Sequence, residues 1–281
     1  MTLSIRTNPE ALAALRNLNA AGARVAQIGA EVSTGLKVRG AKDDASNFAI
    51  AQGLRLDVRA INSVIQGLNN AKGINKVALA GATAVSDLMT DIRKKITEGA
   101  NEGNTAQQQQ ILQNDYVEML GQMRQILENS TFNDVNILIE VAVPFNLAVG
   151  TVRDVDVLSN LEGGTLRLDG QRLDLSYAVL INEDISTPAN ALAALTAFEQ
   201  EEERVATALG SLGANLRALE LQVNQLQATL DATEEGLGNI VDADMARASA
   251  EFTAAQVRQQ LSVQTLGIAN NAPQIALGLF Q

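Results

Sequence analysis

The stretch VATALGSLGANLRALELQVNQLQATLDATEEGLGNI, residues 205–240, decides how this chain folds. Val205, Leu209, Leu212, Leu216, Leu219, Val223, Leu226, Leu230, Leu237 and Ile240 recur at alternating gaps of four and three, with Thr233 as the break. That spacing is the apolar seam of a long helix packed against another helix. A matching seam, Leu54, Val58, Ile61, Ile65, Leu68 and Leu79, lies far earlier in the chain. The chain is therefore expected to run out, turn and come back alongside itself. The expected fold is mainly α: an elongated antiparallel helical bundle or coiled coil formed by the N- and C-terminal halves, with a small β-hairpin insertion.

Working outward, Pro9 to about Gly35 reads as an amphipathic helix with Leu15, Leu18, Val25, Ile28 and Val32 on its stripe, and Gly22 and Gly29 on or beside it. Residues 33–50 read as a loop, with the pair Asp43-Asp44 opening the next helix rather than binding a metal. A long helix follows over 46–98, with Lys72 and Asn75 as polar seam positions that fix register, and Gly99, Gly103 and Asn104 end it. A helix from about Thr105 to Asn129 presents Ile111, Leu112, Met119, Leu120, Met123, Ile126 and Leu127. Residues 128–138 read as a turn leading into a short strand, and Asn129-Ser130-Thr131 fits a glycosylation acceptor only formally.

The period switches over residues 140–186, where 151–157 alternate and Asp169-Gly170 is the expected turn of a hairpin over 165–175. Asp154, Asp156, Asp169 and Asp174 do not have calcium-loop spacing and read as a solvated strand face. After Pro188 the pattern is helical to about Glu235, with Glu199, Glu201, Glu202 and Glu203 as an exposed face and Gly236 and Gly238 as interruptions. A last helix is expected from Asp242 to near Phe280, with Met245, Phe252, Val257, Leu261, Ile268, Ile275 and Leu279 as its apolar side and Pro273 kinking or ending it.

Composition narrows the function. The chain has 281 residues, 46% hydrophobic and 3% aromatic, with no His, Cys or Trp. Scarce aromatics favour long packing by Leu, Ile, Val and Ala over burial around one centre. Without His or Cys, the Ser-His-Asp, Cys-His and His-zinc chemistries are excluded. No Gly-rich phosphate loop ending in Lys-Ser/Thr is present, and no catalytic, cofactor-binding or metal-binding residue is assigned. The net charge is −11, yet residues 1–40 carry five basic and two acidic side chains and residues 245–281 carry two and one. The acidic excess lies in the middle, which is expected to face water while the ends are buried in something. With no basic stripe, nucleic acid is not an expected partner. No run reaches membrane-spanning length, and the first residues lack the pattern of a cleaved signal peptide.

Specific motifs at both ends resemble those of the bacterial flagellin family. At the front these are Thr7-Asn8, Asn17-Leu18-Asn19, Ser33 through Val38, Ala41-Lys42-Asp43-Asp44-Ala45 and Ala49-Ile50. At the back they are Ile240 through Asp244, Ala255-Gln256, Gln259-Gln260, Ala269-Asn270, Pro273 and Leu277-Gly278-Leu279, and Thr131 through Val135 resembles the turn of the family's helical shaft. The resemblance implies a non-enzymatic subunit of a hollow, helical extracellular filament used in swimming. It further implies inner terminal helices at 1–42 and 243–281, an outer helical bundle at 43–139 and 188–242, and a short variable β-rich insertion at 140–187. The partners it implies are other copies of the chain, the flagellar type III export apparatus, a C-terminus-binding export chaperone, and the filament cap and hook-junction proteins. Asp91-Ile92-Arg93-Lys94-Lys95 departs from the pattern that stimulates Toll-like receptor 5, which argues against that recognition. The alternatives are the related hook-filament junction protein, and a surface homologue acting as an adhesin or glycan receptor through the acidic middle.

Overall fold

The computed structural model describes residues 8–139 and 154–278, with side chains described as far as 271. The elements are α1 (Pro9–Thr34), α2 (Ala45–Gly99), α3 (Ala106–Asn129), β1 (Val155–Leu158), β2 (Thr165–Leu168), α4 (Leu173–Leu180), α5 (Pro188–Val241) and α6 (Met245–Gly278). Contacts divide the chain into a unit of Met1–Val58 with Ala232–Gln281 and a unit of Arg59–Asp231. Helices α2 and α5 contribute to both.

In the Arg59–Asp231 unit the two seams meet and run antiparallel. Asn75 Nδ2 donates to the Leu212 carbonyl at 2.8 Å, Lys72 pairs with Glu220 at 3.5 Å, and Arg93 pairs with Glu202 at 2.8 Å and Glu199 at 3.5 Å, so one index falls as the other rises. Ile61, Leu68, Val205, Leu212, Leu219, Leu226 and Leu230 are buried, and the remaining seam residues of the unit are partly so. Each such side chain contributes about 1.5–3 kcal/mol on removal from water. Asn75 is fully buried at the seam, where a polar contact of this kind selects one register among near-equivalent ones.

The core is completed by α3 and α4. Tyr116, Leu120, Met123 and Leu127 pack with Ile92, Ile96, Phe198, Leu173 and Leu180 in one cluster. Ile111, by contrast, is 54% exposed, while Gln109 takes a buried place the periodicity did not mark. Gln109 Nε2 donates to the carbonyls of Gly99 and Ile185, each at 2.7 Å, tying the end of α2 to the loop before α5. Thr105 caps α3, accepting from the Gln108 N–H while the Gln108 side chain accepts from the Thr105 N–H. Glu201, expected on a solvated face, is 3% exposed and pairs with Arg204 at 2.8 Å.

Residues 130–138 form no strand. Asn133 and Asp134 take left-handed φ values of 51° and 61°, closing a tight turn in which Phe132 and Val135 exchange backbone hydrogen bonds of 2.9 Å. The turn lies in two glycine notches on α2, because a Cβ at Gly73 would sit 2.7 Å from the Phe132 ring and one at Gly81 2.0 Å from Ser130 Oγ. The hairpin also differs from expectation. β1 pairs with β2 from Val155 opposite Leu168 to Leu158 opposite Thr165, so the turn is 159–164 and not Asp169-Gly170. Asn160 Oδ1 closes that turn by accepting from the N–H groups of Glu162 at 3.1 Å and Gly164 at 2.6 Å, a local side-chain turn that competes well with an Asp-Gly pair. Gly170 instead donates to Asp154 at 3.0 Å and leads into α4, where a second strand was expected. The part of the alternating run at 151–153 lies outside the described residues. Leu168, Leu173, Leu180 and Ile185 are fully buried, so residues 154–187 share the helical core.

Two further boundaries differ. Gly236 and Gly238 lie inside α5, and the break falls at Asp242–Asp244, where Asp242 Oδ2 would be 2.8 Å from a Cβ at Gly238. Helix α6 begins at Met245 and extends past Pro273 to Gly278.

The notch at Gly81 makes a direct prediction. Gly81→Val should undock the 130–138 turn and destabilise the unit by roughly 1–3 kcal/mol, read as a lower denaturation midpoint. Gly121→Ala, on α3 where a Cβ meets nothing within 4 Å, should not lower it. Equal midpoints for the two variants would contradict the docking.

Candidate functional site

Among the described residues no group of three or more His, Cys, Asp or Glu could hold a metal ion. Asp154 pairs with Arg167, Asp169 with the same arginine at 3.1 Å, and Asp174 with Arg172 at 3.6 Å, so these carboxylates face arginines across the hairpin and its exit. None of the described helices is long and apolar enough to cross a membrane. The features set apart by their construction are the junction at residues 35–48 and 237–248, and the two helices that leave it.

The junction is built from the motif-rich stretches. Helix α1 ends at Gly35, whose φ of 71° and N–H bond to the Glu31 carbonyl at 2.9 Å turn the chain out of the helix. Two strand-like contacts then join the ends of the sequence: Lys37 N–H donates to the Val241 carbonyl at 2.7 Å, and Ala243 N–H to the Gly35 carbonyl at 2.8 Å. Val38, Ala51 and Val241 are buried together, with Leu36, Phe48, Leu237 and Ile240 packed against them.

Three aspartates of the motifs, Asp43, Asp44 and Asp244, have structural tasks. Asp44 caps α2, accepting from the Asn47 N–H at 2.9 Å and the Asn47 amide at 2.8 Å, and these bonds hold its pKa below the usual aspartate value. Asp43 is lowered chiefly by the Arg39 N–H at 3.1 Å and then by the Arg39 guanidinium, also at 3.1 Å. Asp244 caps α6, accepting from the N–H groups of Ala246 at 3.0 Å and Arg247 at 3.1 Å. The helix-start reading of Asp43-Asp44 therefore agrees with the geometry.

From this junction α1 and α6 run back antiparallel. Asn8, which caps α1, reaches the Ala269 carbonyl at 2.7 Å, and Arg24 pairs with Glu251 at 3.2 Å. The contact is made largely by small residues. A Cβ at Gly29 would lie 3.0 Å from the Phe252 ring and one at Gly22 3.5 Å from Gln259, while among the described side chains of α1 and α6 the buried apolar ones are Ala14, Ile28, Ala248 and Ala255. Of the larger side chains assigned to the two stripes, Ile28 is buried and Leu18, Val25, Val32 and Phe252 are half-buried, whereas Leu15 is 43% exposed, Met245 43%, Val257 49%, Leu261 54% and Ile268 72%. Leu12 and Val263 are equally open at 51% and 54%, and neither stood out in the periodicity. Ile275 and Leu279 lie outside the described side chains.

Comparison with known proteins agrees with the terminal motifs. Residues 5–142 match the bacterial flagellin N-terminal helical region and residues 195–280 the bacterial flagellin C-terminal helical region. The chain is 30% identical over 292 residues to flagellin FljJ of Caulobacter vibrioides, covering 100% of this chain and 99% of that one. It is 28% identical over 291 residues to a flagellin of Brucella melitensis, covering 99% of each. Among solved structures, Bacillus cereus flagellin aligns with a TM-score of 0.50 at 20% identity, over 57% of this chain and 88% of that one. A putative flagellar hook-associated protein from Vibrio parahaemolyticus aligns with a TM-score of 0.58 at 17% identity, over 71% and 100%. These two show the fold alone.

The junction predicts a pH profile. Asp43 and Asp44 have folded pKa values below their unfolded ones, so their contribution is present above the unfolded value of about 3.9 and is lost as pH falls through the folded values. With no His and no Cys, no side chain has an ordinary pKa near neutrality. The melting midpoint should be flat from about pH 5.5 to 8.5 and fall below about pH 4. Asp43→Asn with Asp44→Asn should shrink that acid-side fall, and a midpoint that moves between pH 6 and 8 would contradict the assignment.

Proposed function

The chain belongs to the bacterial flagellin family and is a subunit of the extracellular flagellar filament, and we propose that its terminal helices α1 and α6 are the part that completes its fold only on polymerisation. The supporting observation is their burial. Two helices of 26 and 34 residues bury few apolar side chains against each other and leave Leu12, Leu15, Val257, Leu261, Val263 and Ile268 open. Ordering costs about 1–2 kcal/mol per residue, which such a small contact does not offset. Neighbouring copies supply the missing surface, so folding and assembly become one event.

In this reading residues 1–42 and 243–281 line the inner tube of a hollow filament, 43–139 and 188–242 form the outer layer, and 140–187 is the variable segment. Export then follows the flagellar type III route, with a chaperone shielding the C-terminal apolar surface before the cap places the subunit. The role is structural and not enzymatic: the polar groups of the junction serve as helix caps and backbone ties.

Truncation tests the proposal. Removing residues 245–281 should leave a soluble, helical monomer that forms no filaments at concentrations where the full chain does. Filaments from the truncated protein would contradict it.

A further inference from the structure

We propose that the groove between α2 and the β1–β2 hairpin receives the exposed α5 ridge around Leu221 of a second copy of this chain. This rests on the filament role above and names a contact within it.

The groove lies wholly within the Arg59–Asp231 unit and has a volume of about 620 Å³. Its α2 side carries the small residues Ala60, Ser63, Gly67 and Ala71 among Val64, Asn70 and Ile74, and a Cβ at Gly67 meets nothing within 4 Å. Its hairpin side presents Val157, Leu161 and the exposed Asp156. The strip of small side chains at Ala60, Ser63 and Gly67 admits another helix at close range. An open helical polymer also needs a groove on one face and a different, complementary ridge on another, because self-complementary patches close into dimers.

Charge selects the ridge. Leu56, exposed on α2 with Arg59 three residues on, lies one turn from Ala60 of the groove wall and is no separate ridge; within residues 59–231 the large apolar residues exposed on described helices are Ile111, Val117, Leu192 and Leu221. Of these, Leu221 alone has a cation one helical turn away: Arg217 precedes it by four residues. Leu221 is also the most open of the four, at 70%. Arg217 is exposed and forms no ion pair with another described residue. Across the groove, Asp156 stands opposite Arg167 in the hairpin, but that arginine already engages Asp154 and Asp169. The ridge therefore places Leu221 against Gly67 and Leu161, with Arg217 beside Asp156. Leu192 and Ile111 have no cation one turn away, and Ile111 would bring Asp115 toward the acidic wall.

The chain has no cysteine, so an introduced pair reports one contact. Filaments of Leu161→Cys with Leu221→Cys, oxidised and run on a non-reducing gel, should give a ladder of covalent multimers, and each single variant should give monomer. Asp156→Lys and Arg217→Glu should each raise the critical concentration for assembly about ten-fold, and together restore it to within about two-fold of the unsubstituted chain. Gly67→Leu should fill the groove and raise the critical concentration while the monomer keeps its circular dichroism and melting midpoint. Filaments without a ladder, or a charge reversal that restores nothing, would overturn the contact and leave the filament role standing. If the cysteine pair itself blocks assembly, the charge reversal decides. Failure of the unsubstituted chain to polymerise would overturn both.

Discussion

A helix of more than fifty residues with a continuous apolar seam has nowhere to bury it except against another helix, and α2 and α5 have 55 and 54 residues. That mutual requirement is the constraint on which the rest depends. It brings residues near position 75 beside residues near position 212, and it fixes their register through one fully buried amide, Asn75, bonded to the Leu212 carbonyl at 2.8 Å. Helices α3 and α4, the hairpin and the 130–138 turn then fill the surface that a helix pair cannot cover, with Gly73 and Gly81 giving the turn its seat.

The same logic explains why the two ends differ from the middle. Around the long pair, each apolar face has a partner within the chain. Around α1 and α6 the partner is incomplete: Ile28 is buried and Phe252 lies against Gly29, but Leu12, Leu15, Val257, Leu261, Val263 and Ile268 stay open. An isolated protein would carry this as a liability. In the reading proposed above, a subunit of a polymer carries it as its means of assembly, and the near-neutral ends and acidic middle divide the chain along similar lines. The junction at Gly35, Val38, Val241 and Asp244 joins the two regimes by backbone bonds and caps, which gives the dense motifs there a structural role.

The seams were legible in the sequence because a gap pattern of four and three repeated over ten turns has few other readings. Helix ends at Gly35, Gly99 and Asn129 were legible for the same reason, with glycine or a polar cluster punctuating the pattern. The hairpin turn was not, because Asp169-Gly170 is the stronger generic signal, whereas the turn actually used is closed by the Asn160 side chain. Gly236 and Gly238 misled because helix propensity is weak beside tertiary packing, and α5 is held through them by Leu237, Ile240 and Val241 in the junction cluster. Glu201 reads as solvated because it sits in an acidic run, and the sequence does not say which member of that run turns inward; its pairing with Arg204 one turn later makes the burial tolerable. The open faces of α1 and α6 were the least legible, since periodicity identifies an apolar stripe and says nothing of whether its partner belongs to the same molecule.

The central claim, that the terminal helices gain their stability from neighbouring copies, is tested most directly by amide hydrogen exchange of the full chain as monomer and as filament. Residues 9–34 and 245–278 should exchange within seconds in the monomer and become strongly protected in the filament, while α3 and the 72–96 stretch of α2 are protected in both. Terminal helices already as protected in the monomer as the α2–α5 core would contradict the account.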